Sequence, residues 1–154
     1  MKSVFYYDTD IGRIGIAEDG NFITNVFFEN EELEDIKINE TPLIKEAHKQ
    51  IEEYLRGERK SFDLPISASG TEFQQRVWNA LKTIPYGKTA SYKDIAIAIG
   101  NEKSCRAVGM ANNRNPISII IPCHRVIGKN GKMVGYGGGI EIKEYLLKLE
   151  NNNL

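Results

Sequence analysis

Three side chains that can do chemistry stand side by side in SIIIPCHRVIG, residues 118–128: Cys123, His124 and Arg125. A thiol is a soft nucleophile, but only its thiolate attacks, and an unperturbed cysteine with a pKa near ~8.5 is mostly protonated at neutral pH. A neighbouring base must take that proton, and a carboxylate can hold the base in the tautomer it needs. His124 is the nearest base in sequence. On a strand, adjacent side chains point to opposite faces, so Cys123 and His124 act together only where the chain turns sharply or a water joins them. Glu150 could return a carboxylate to the same place, from the end of a helix whose Ile142, Tyr145, Leu146 and Leu149 read as core-facing. Between them runs GKNGKMVGYGGG, whose glycines can turn and let backbone N–H groups approach a ligand. By residue type these groups can form a Cys-His-Glu nucleophilic site. A buried cysteine that happens to precede a histidine accounts for the same residues.

Two unlike halves must position these groups. Residues 1–66 read as a small β-rich unit: KSVFYYDT, GRIGIAED and NFITNVFFE are rich in β-branched and aromatic residues, with Asp19-Gly20 as a hairpin turn. The acidic stretch ENEELEDIKINE reads as a solvated loop. Thr41-Pro42 then opens a helix with Ile44, Ala47, Ile51 and Leu55 on its apolar face, closed by Gly57. His48 in that helix reads as an ordinary boundary residue. SFDLPISASG is the seam. Residues 67–154 are mostly helical. Thr71 with Gln74 makes a capping-box pattern before Phe73, Val77, Leu81 and Ile84, and Trp78 beside them reads as core. Ser91 with Asp94 opens a short helix that ends at Gly100, and NEKSCRAVGMANNRN follows as a second: a helix-turn-helix pattern, weak by itself because many helical hairpins bind nothing. Ala107, Gly109 and Ala111 leave that second helix nearly bare beside Arg106 and Arg114. Such a stripe fits close approach to another polymer and fits close helix packing equally well.

Composition narrows the class. With 41% hydrophobic and 27% charged residues the chain suits a soluble globular protein, and no run approaches 18 apolar residues, so no membrane partner is expected. The start MKSVFYYDTD lacks the features of a signal peptide, which points to the cytoplasm and to Cys105 and Cys123 as reduced thiols. Two cysteines and two histidines without close pairing give no zinc-ligand spacing, so no metal is expected. The net charge of −1 hides an asymmetry: residues 1–66 carry 8 Lys/Arg against 15 Asp/Glu, and residues 67–154 carry 12 against 6. The basic half is suited to an anion, although chance clustering of solvated charges explains it as well.

The residues also carry a resemblance. IPCHRVIG, then GYGGG and IKEYLLKLE, preceded in order by FQQRVWNALKTIPYGKTASYKDIA and RAVGMANNRNPIS, resembles the O6-alkylguanine-DNA alkyltransferases, the methylated-DNA–protein-cysteine methyltransferases. The likeness covers about the last 85 residues. The resemblance implies an α+β (α/β) protein: a small N-terminal β-sheet-plus-helix, ribonuclease H-like domain over 1–66, and a DNA-binding and alkyl-acceptor domain over 67–154 containing the helix-turn-helix. It implies Cys123 as acceptor, His124 as its base acting through a water, Glu150 orienting His124, and Asn115 holding the turn before the active-site strand. Tyr92 would help rotate the target nucleotide out of the duplex and donate to the departing guanine. Arg106 would fill the space left in the stack, and Ser91, Ala107, Gly109 and Ala111 would meet the minor groove. Val126, Tyr136, Gly137 and Lys143 would line the base pocket. Gly137 departs from relatives with a serine there, so a backbone N–H must replace a hydroxyl, which bears on bulky adducts.

The implied partner is double-stranded DNA carrying alkylated bases, O6-alkylguanine and by extension O4-alkylthymine, met by a monomer. The target carbon is out of reach in a stacked base, hence the flipping. No cofactor is implied, because the thioether formed on Cys123 has no easy leaving group and the protein is consumed. Some relatives carry zinc in the first domain; its ligands are absent here. Two rivals use the same residues: a non-catalytic DNA-binding module, against which Cys123 argues, and a thiol hydrolase, which would turn over many times and ignore DNA.

Overall fold

Three strands rich in β-branched and aromatic residues set the start of the fold: β1 (Ser3–Thr9), β2 (Gly12–Glu18) and β3 (Ile23–Phe28). The structure is a computed structural model that describes all residues except Met1, 29–32, 34–35 and Val134, and for Asn130 only the backbone. β2 pairs antiparallel with both neighbours, and β4 (Lys37–Ile38) joins β1 in parallel, giving the order β3-β2-β1-β4. The acidic stretch expected as a loop lies largely outside the described residues, and its end forms β4 instead.

Helix α1 (Pro42–Leu55) crosses this sheet. The Thr41 hydroxyl accepts the Ile44 N–H at 3.2 Å and Pro42 occupies the first turn, where a missing N–H costs nothing. Ile44, Ala47, Ile51, Tyr54 and Leu55 are buried, each large apolar side chain contributing about 1.5–3 kcal/mol. The helix stops at Gly57, whose φ of +77° a residue with a Cβ rarely adopts. His48 stacks on the Tyr7 ring at 3.7 Å, an ordinary boundary contact.

The seam expected around 61–70 is extended and pinned. Gln50 grips Asp63 through both its amide ends, and Ile23 exchanges backbone hydrogen bonds with Pro65 and Ser67. Farther along the same edge of β3, Val26 donates to the Pro116 carbonyl (2.9 Å) and accepts from the Ser118 N–H (3.0 Å). The first sheet thereby grips the segment that leads to Cys123.

Both expected capping boxes form, at Thr71/Gln74 before α2 (Glu72–Leu81) and at Ser91/Asp94 before α3 (Tyr92–Ala98). Helix α4 (Cys105–Asn113) packs on both, and β5 (Ala90–Ser91) pairs in parallel with β6 (Val126–Ile127). Trp78 is buried, as expected, and its indole N–H donates to the Ala111 carbonyl at 2.9 Å. One continuous core runs from Ile16 and Val26 through Ile51 to Leu81, Ile117 and Ile121.

Two expectations about local structure change. The apolar run before Cys123 is a turn and not a strand: Ile119 is buried with φ +73°, and Ile121 N–H folds back onto the Ile117 carbonyl. A β-branched residue in that region costs roughly 1–2 kcal/mol, held here by the surrounding packing. The final helix, α5 (Ile140–Asn152), buries Lys143, Leu146 and Glu150, whereas Tyr145 is exposed. Spacings of three and seven residues place 143, 146 and 150 on one stripe and leave 145 beside it.

Candidate functional site

Cys123 begins a single 3-10 turn, Cys123–Arg125. That turn is the sharp bend that two adjacent side chains need in order to serve one site. It buries Cys123, His124 and Arg125 together, with His124 wholly inaccessible. From the opposite side α5 delivers Glu150, also wholly buried.

An isolated buried carboxylate would be very costly, but Glu150 is surrounded by donors. His124 Nε2 lies 2.7 Å from Oε2. Arg125 clamps both oxygens, Nε to Oε1 at 2.9 Å and Nη2 to Oε2 at 3.0 Å. The Gly87 N–H donates to Oε1 at 3.0 Å, and the Tyr54 hydroxyl donates to Oε2 at 2.5 Å. Burial pushes the Glu150 pKa up, but the hydrogen bonds from His124 and Arg125 outweigh it and bring the carboxyl down to about 2. Glu150 is therefore ionised at neutral pH. An ionised carboxylate only accepts, so the hydrogen between it and the imidazole sits on His124 Nε2. Burial lowers the His124 pKa against the pull of Glu150, which leaves the ring neutral with its lone pair on Nδ1. That Nδ1 is buried and has no hydrogen-bond partner among the described residues. The arrangement leaves one basic atom available for a neighbouring proton.

The thiol needs such a base. Burial pushes Cys123 up to about 11, partly offset by a hydrogen bond from Asn115 and by the charge of Lys143. Asn115 accepts the Ile117 N–H at 3.0 Å and donates to the Ile121 carbonyl at 2.8 Å, closing the turn that contains Ile119. Asn112 reaches the Cys123 carbonyl at 3.4 Å. Lys143 is buried, and burial lowers its pKa against the attraction of the Cys123 thiolate. Tyr136 sets its ring edge against Phe28 (5.7 Å) and His124 (6.5 Å). Val126 is buried on β6, whereas Gly137 is exposed.

Tyr92, the first residue of α3, is half-buried near Cys123, and burial together with that neighbour raises its pKa, so its phenol keeps its proton. The Ser91 oxygen caps α3 by accepting the Asp94 N–H at 3.0 Å. A cleft of about 400 Å³ beside them is lined by Ser91, Tyr92, Lys93, Cys105 and Lys129. On α4, Arg106 and Ala107 are exposed. The small residues do not form one stripe: Gly109 faces the Tyr92 ring, while Ala111 is buried toward α2. Residues two apart on a helix point away from each other, so Gly109 cannot share the face of Ala107 and Ala111.

The structure thus gathers Cys123, His124, Glu150, Asn115, Lys143, Tyr136, Tyr92 and Val126 near one turn, and keeps Arg106 and Ala107 on an outer helix face. Sequence reasoning missed Tyr54 and gave Arg125 no role. Tyr54 reads as one more core position of α1. The available signal is that a phenol in an apolar stripe needs a buried acceptor. Among the described residues no helix is long and apolar enough to cross a membrane.

Comparison with known proteins matches residues 4–68 to the ribonuclease-like domain of 6-O-methylguanine DNA methyltransferase and residues 72–152 to the DNA binding domain of the same family. The methylated-DNA–protein-cysteine methyltransferase of Methanosarcina acetivorans is 51% identical over 150 residues, covering 95% of this chain and 96% of that protein. The constitutive one of Bacillus subtilis is 50% identical over 151 residues, covering 93% and 92%. Among solved structures, Mycobacterium tuberculosis OGT in complex with DNA superposes with a TM-score of 0.92 at 44% identity, over 98% of this chain and 94% of that one.

Proposed function

The chain belongs to the 6-O-methylguanine DNA methyltransferase family, and from that premise we propose that Cys123 is the residue on which a DNA alkyl group ends. The protein is a DNA-repair methyltransferase whose acceptor is a cysteine of its own chain, and DNA is its partner. The observation that supports Cys123 most is the state of its neighbour: with Glu150 ionised and saturated with donors, His124 is left neutral with a bare Nδ1 inside the same turn.

The reaction follows from that state. The thiol proton passes to His124 Nδ1 through one water, and Glu150 stabilises the resulting imidazolium through Nε2–H. The thiolate attacks the alkyl carbon of O6-alkylguanine, forming the S–C bond as the C–O6 bond breaks. The electron pair leaves on the guanine, which the Tyr92 phenol stabilises by donating a hydrogen bond while keeping its proton, and the proton held on His124 finally neutralises the guanine. Lys143 favours the thiolate by its charge, and Val126, Tyr136 and Gly137 form the rest of the base pocket. The Gly137 backbone N–H replaces a hydroxyl contact there. O4-alkylthymine presents the same carbon–oxygen bond and is the second substrate. A thioether does not reopen under these conditions, so each molecule acts once and needs no cofactor.

A stacked base cannot reach a buried thiol, so the nucleotide must turn out of the duplex. Arg106 on the exposed face of α4 enters the stack, Ala107 allows the minor groove to come close, Gly109 leaves room for the Tyr92 ring, Ala111 keeps α4 tight on α2, and the Ser91 hydroxyl donates to the DNA backbone beside Tyr92. Residues 67–154 form the DNA-binding and acceptor domain, and residues 1–66 a structural one. The protein acts as a monomer, working in the cytoplasm on duplex DNA that carries the lesion. Peptide mapping after reaction with O6-methylguanine duplex tests the assignment. The methyl is expected on the peptide containing Cys123; a methyl on Cys105 would overturn it.

A further inference from the structure

We propose that Tyr54, contributed by α1 of the N-terminal half, is a positioning residue for alkyl transfer, its hydroxyl fixing Glu150 and through it the orientation and basicity of His124. The inference rests on the reading of His124 as the base for Cys123. The face of α1 that carries Ile44, Ala47 and Ile51 into the core carries a phenol oxygen at Tyr54. Phe62 and Tyr86 hold the ring at 5.5 and 6.2 Å between centroids. A phenylalanine would fill that space as well. What the tyrosine adds is a donor at 2.5 Å from Glu150 Oε2, with the same oxygen 3.3 Å from His124 Nε2.

Oε2 then accepts from His124 Nε2, Arg125 Nη2 and Tyr54 Oη together. Three donors spread the charge of one oxygen and fix the plane of the carboxylate. The phenol oxygen also offers the Nε2–H a second acceptor, which resists rotation of the imidazole. The groups that face His124 are Glu150 and Lys143 of α5, Arg125 of its own turn, and the rings of Tyr136 and Tyr54. Among these Tyr54 is the one supplied by residues before the seam. The reaction therefore depends on the docked state of the two halves, beyond whatever stability the first half contributes.

The sign of the effect follows from the charge. Tyr54→Phe keeps the ring, removes one donor from Oε2 and leaves more negative charge opposite the imidazole. The imidazolium is favoured, so the base is lost to protonation at higher pH, and its ring is less firmly held.

Single-turnover transfer from duplex DNA with one O6-methylguanine, followed from about pH 5 to about pH 9, tests this on the wild type, Tyr54→Phe and Phe62→Leu, each with its melting temperature and DNA affinity. Tyr54→Phe is expected to keep DNA affinity and to reach one methyl per protein. Its rate at neutral pH should fall about tenfold, the scale of a hydrogen bond to a charged group, and the acid limb of its profile should move to higher pH. Phe62→Leu, which loosens the same ring cluster, should lower the melting temperature and leave the limb in place. A Tyr54→Phe rate and limb equal to those of the wild type would overturn the proposal, and so would a slowed rate with the limb unmoved. If the wild type itself took up no methyl, the assignment of Cys123 and His124 would fall, and this inference with it.

Discussion

Glu150 organises the site because it is ionised where ionisation is expensive. Its five hydrogen bonds come from His124, Arg125 (two), Gly87 and Tyr54, so the last helix, the acceptor turn, the Gly87 turn and α1 all meet on one carboxylate. Stability should therefore depend on acid in a defined sense. The folded Glu150 is held at about 2 against an ordinary 4.5, so its contribution is present above 4.5 and is lost as the pH falls toward 2. The folded His124 is also depressed, below its ordinary 6.5, so the unfolded chain takes up that proton first and stability begins to fall as the pH drops through 6.5. Urea unfolding at stepped pH should show both losses. In Glu150→Gln the step between 4.5 and 2 should be gone, and persistence of that step would assign it to other carboxylates.

At the scale of elements the molecule depends on short helices with well-made starts. Thr71 and Gln74 satisfy each other's backbone N–H at 2.9 and 3.1 Å, and α2 carries Trp78 against α4. Thr71→Ala should cost about 1 kcal/mol in equilibrium unfolding, with the transfer rate of the folded protein unchanged. A loss well under half of that would mean the helix is held by packing alone. Such caps are legible in the sequence because they are local: the starts of α1, α2 and α3 follow from Thr41-Pro42, Thr71/Gln74 and Ser91/Asp94. Cys123, His124 and Glu150 were legible by type, and the order of motifs around them supplied the rest. Three things were not. The Ile run before Cys123 has strand composition, but its conformation is set by Asn115 and by the β3 edge, both remote in pattern. Tyr54 sits at a core spacing that hides its hydroxyl. Ala107, Gly109 and Ala111 look alike in sequence and face different neighbours on the helix.

Over the whole molecule the two halves divide the charge and share the core. The acidic first half lends β3 as an edge to residues 65–67 and 116–118, and sends Tyr54 to Glu150; the basic second half matches the family's DNA binding domain and carries the buried thiol. A buried thiol at the start of its turn, with Cys123 only 4% exposed, is suited to one event on an extruded base and poorly suited to repeated exchange with solvent. Irreversible transfer in equal numbers is the central consequence, and intact-protein mass after incubation with excess duplex DNA containing one O6-methylguanine tests it most directly. Every active molecule of the wild type is expected to gain the mass of a single methylene, with an endpoint of one lesion repaired per protein, and Cys123→Ala is expected to show no change. Continued repair beyond one lesion per protein, or an unchanged mass while DNA is bound, would contradict it.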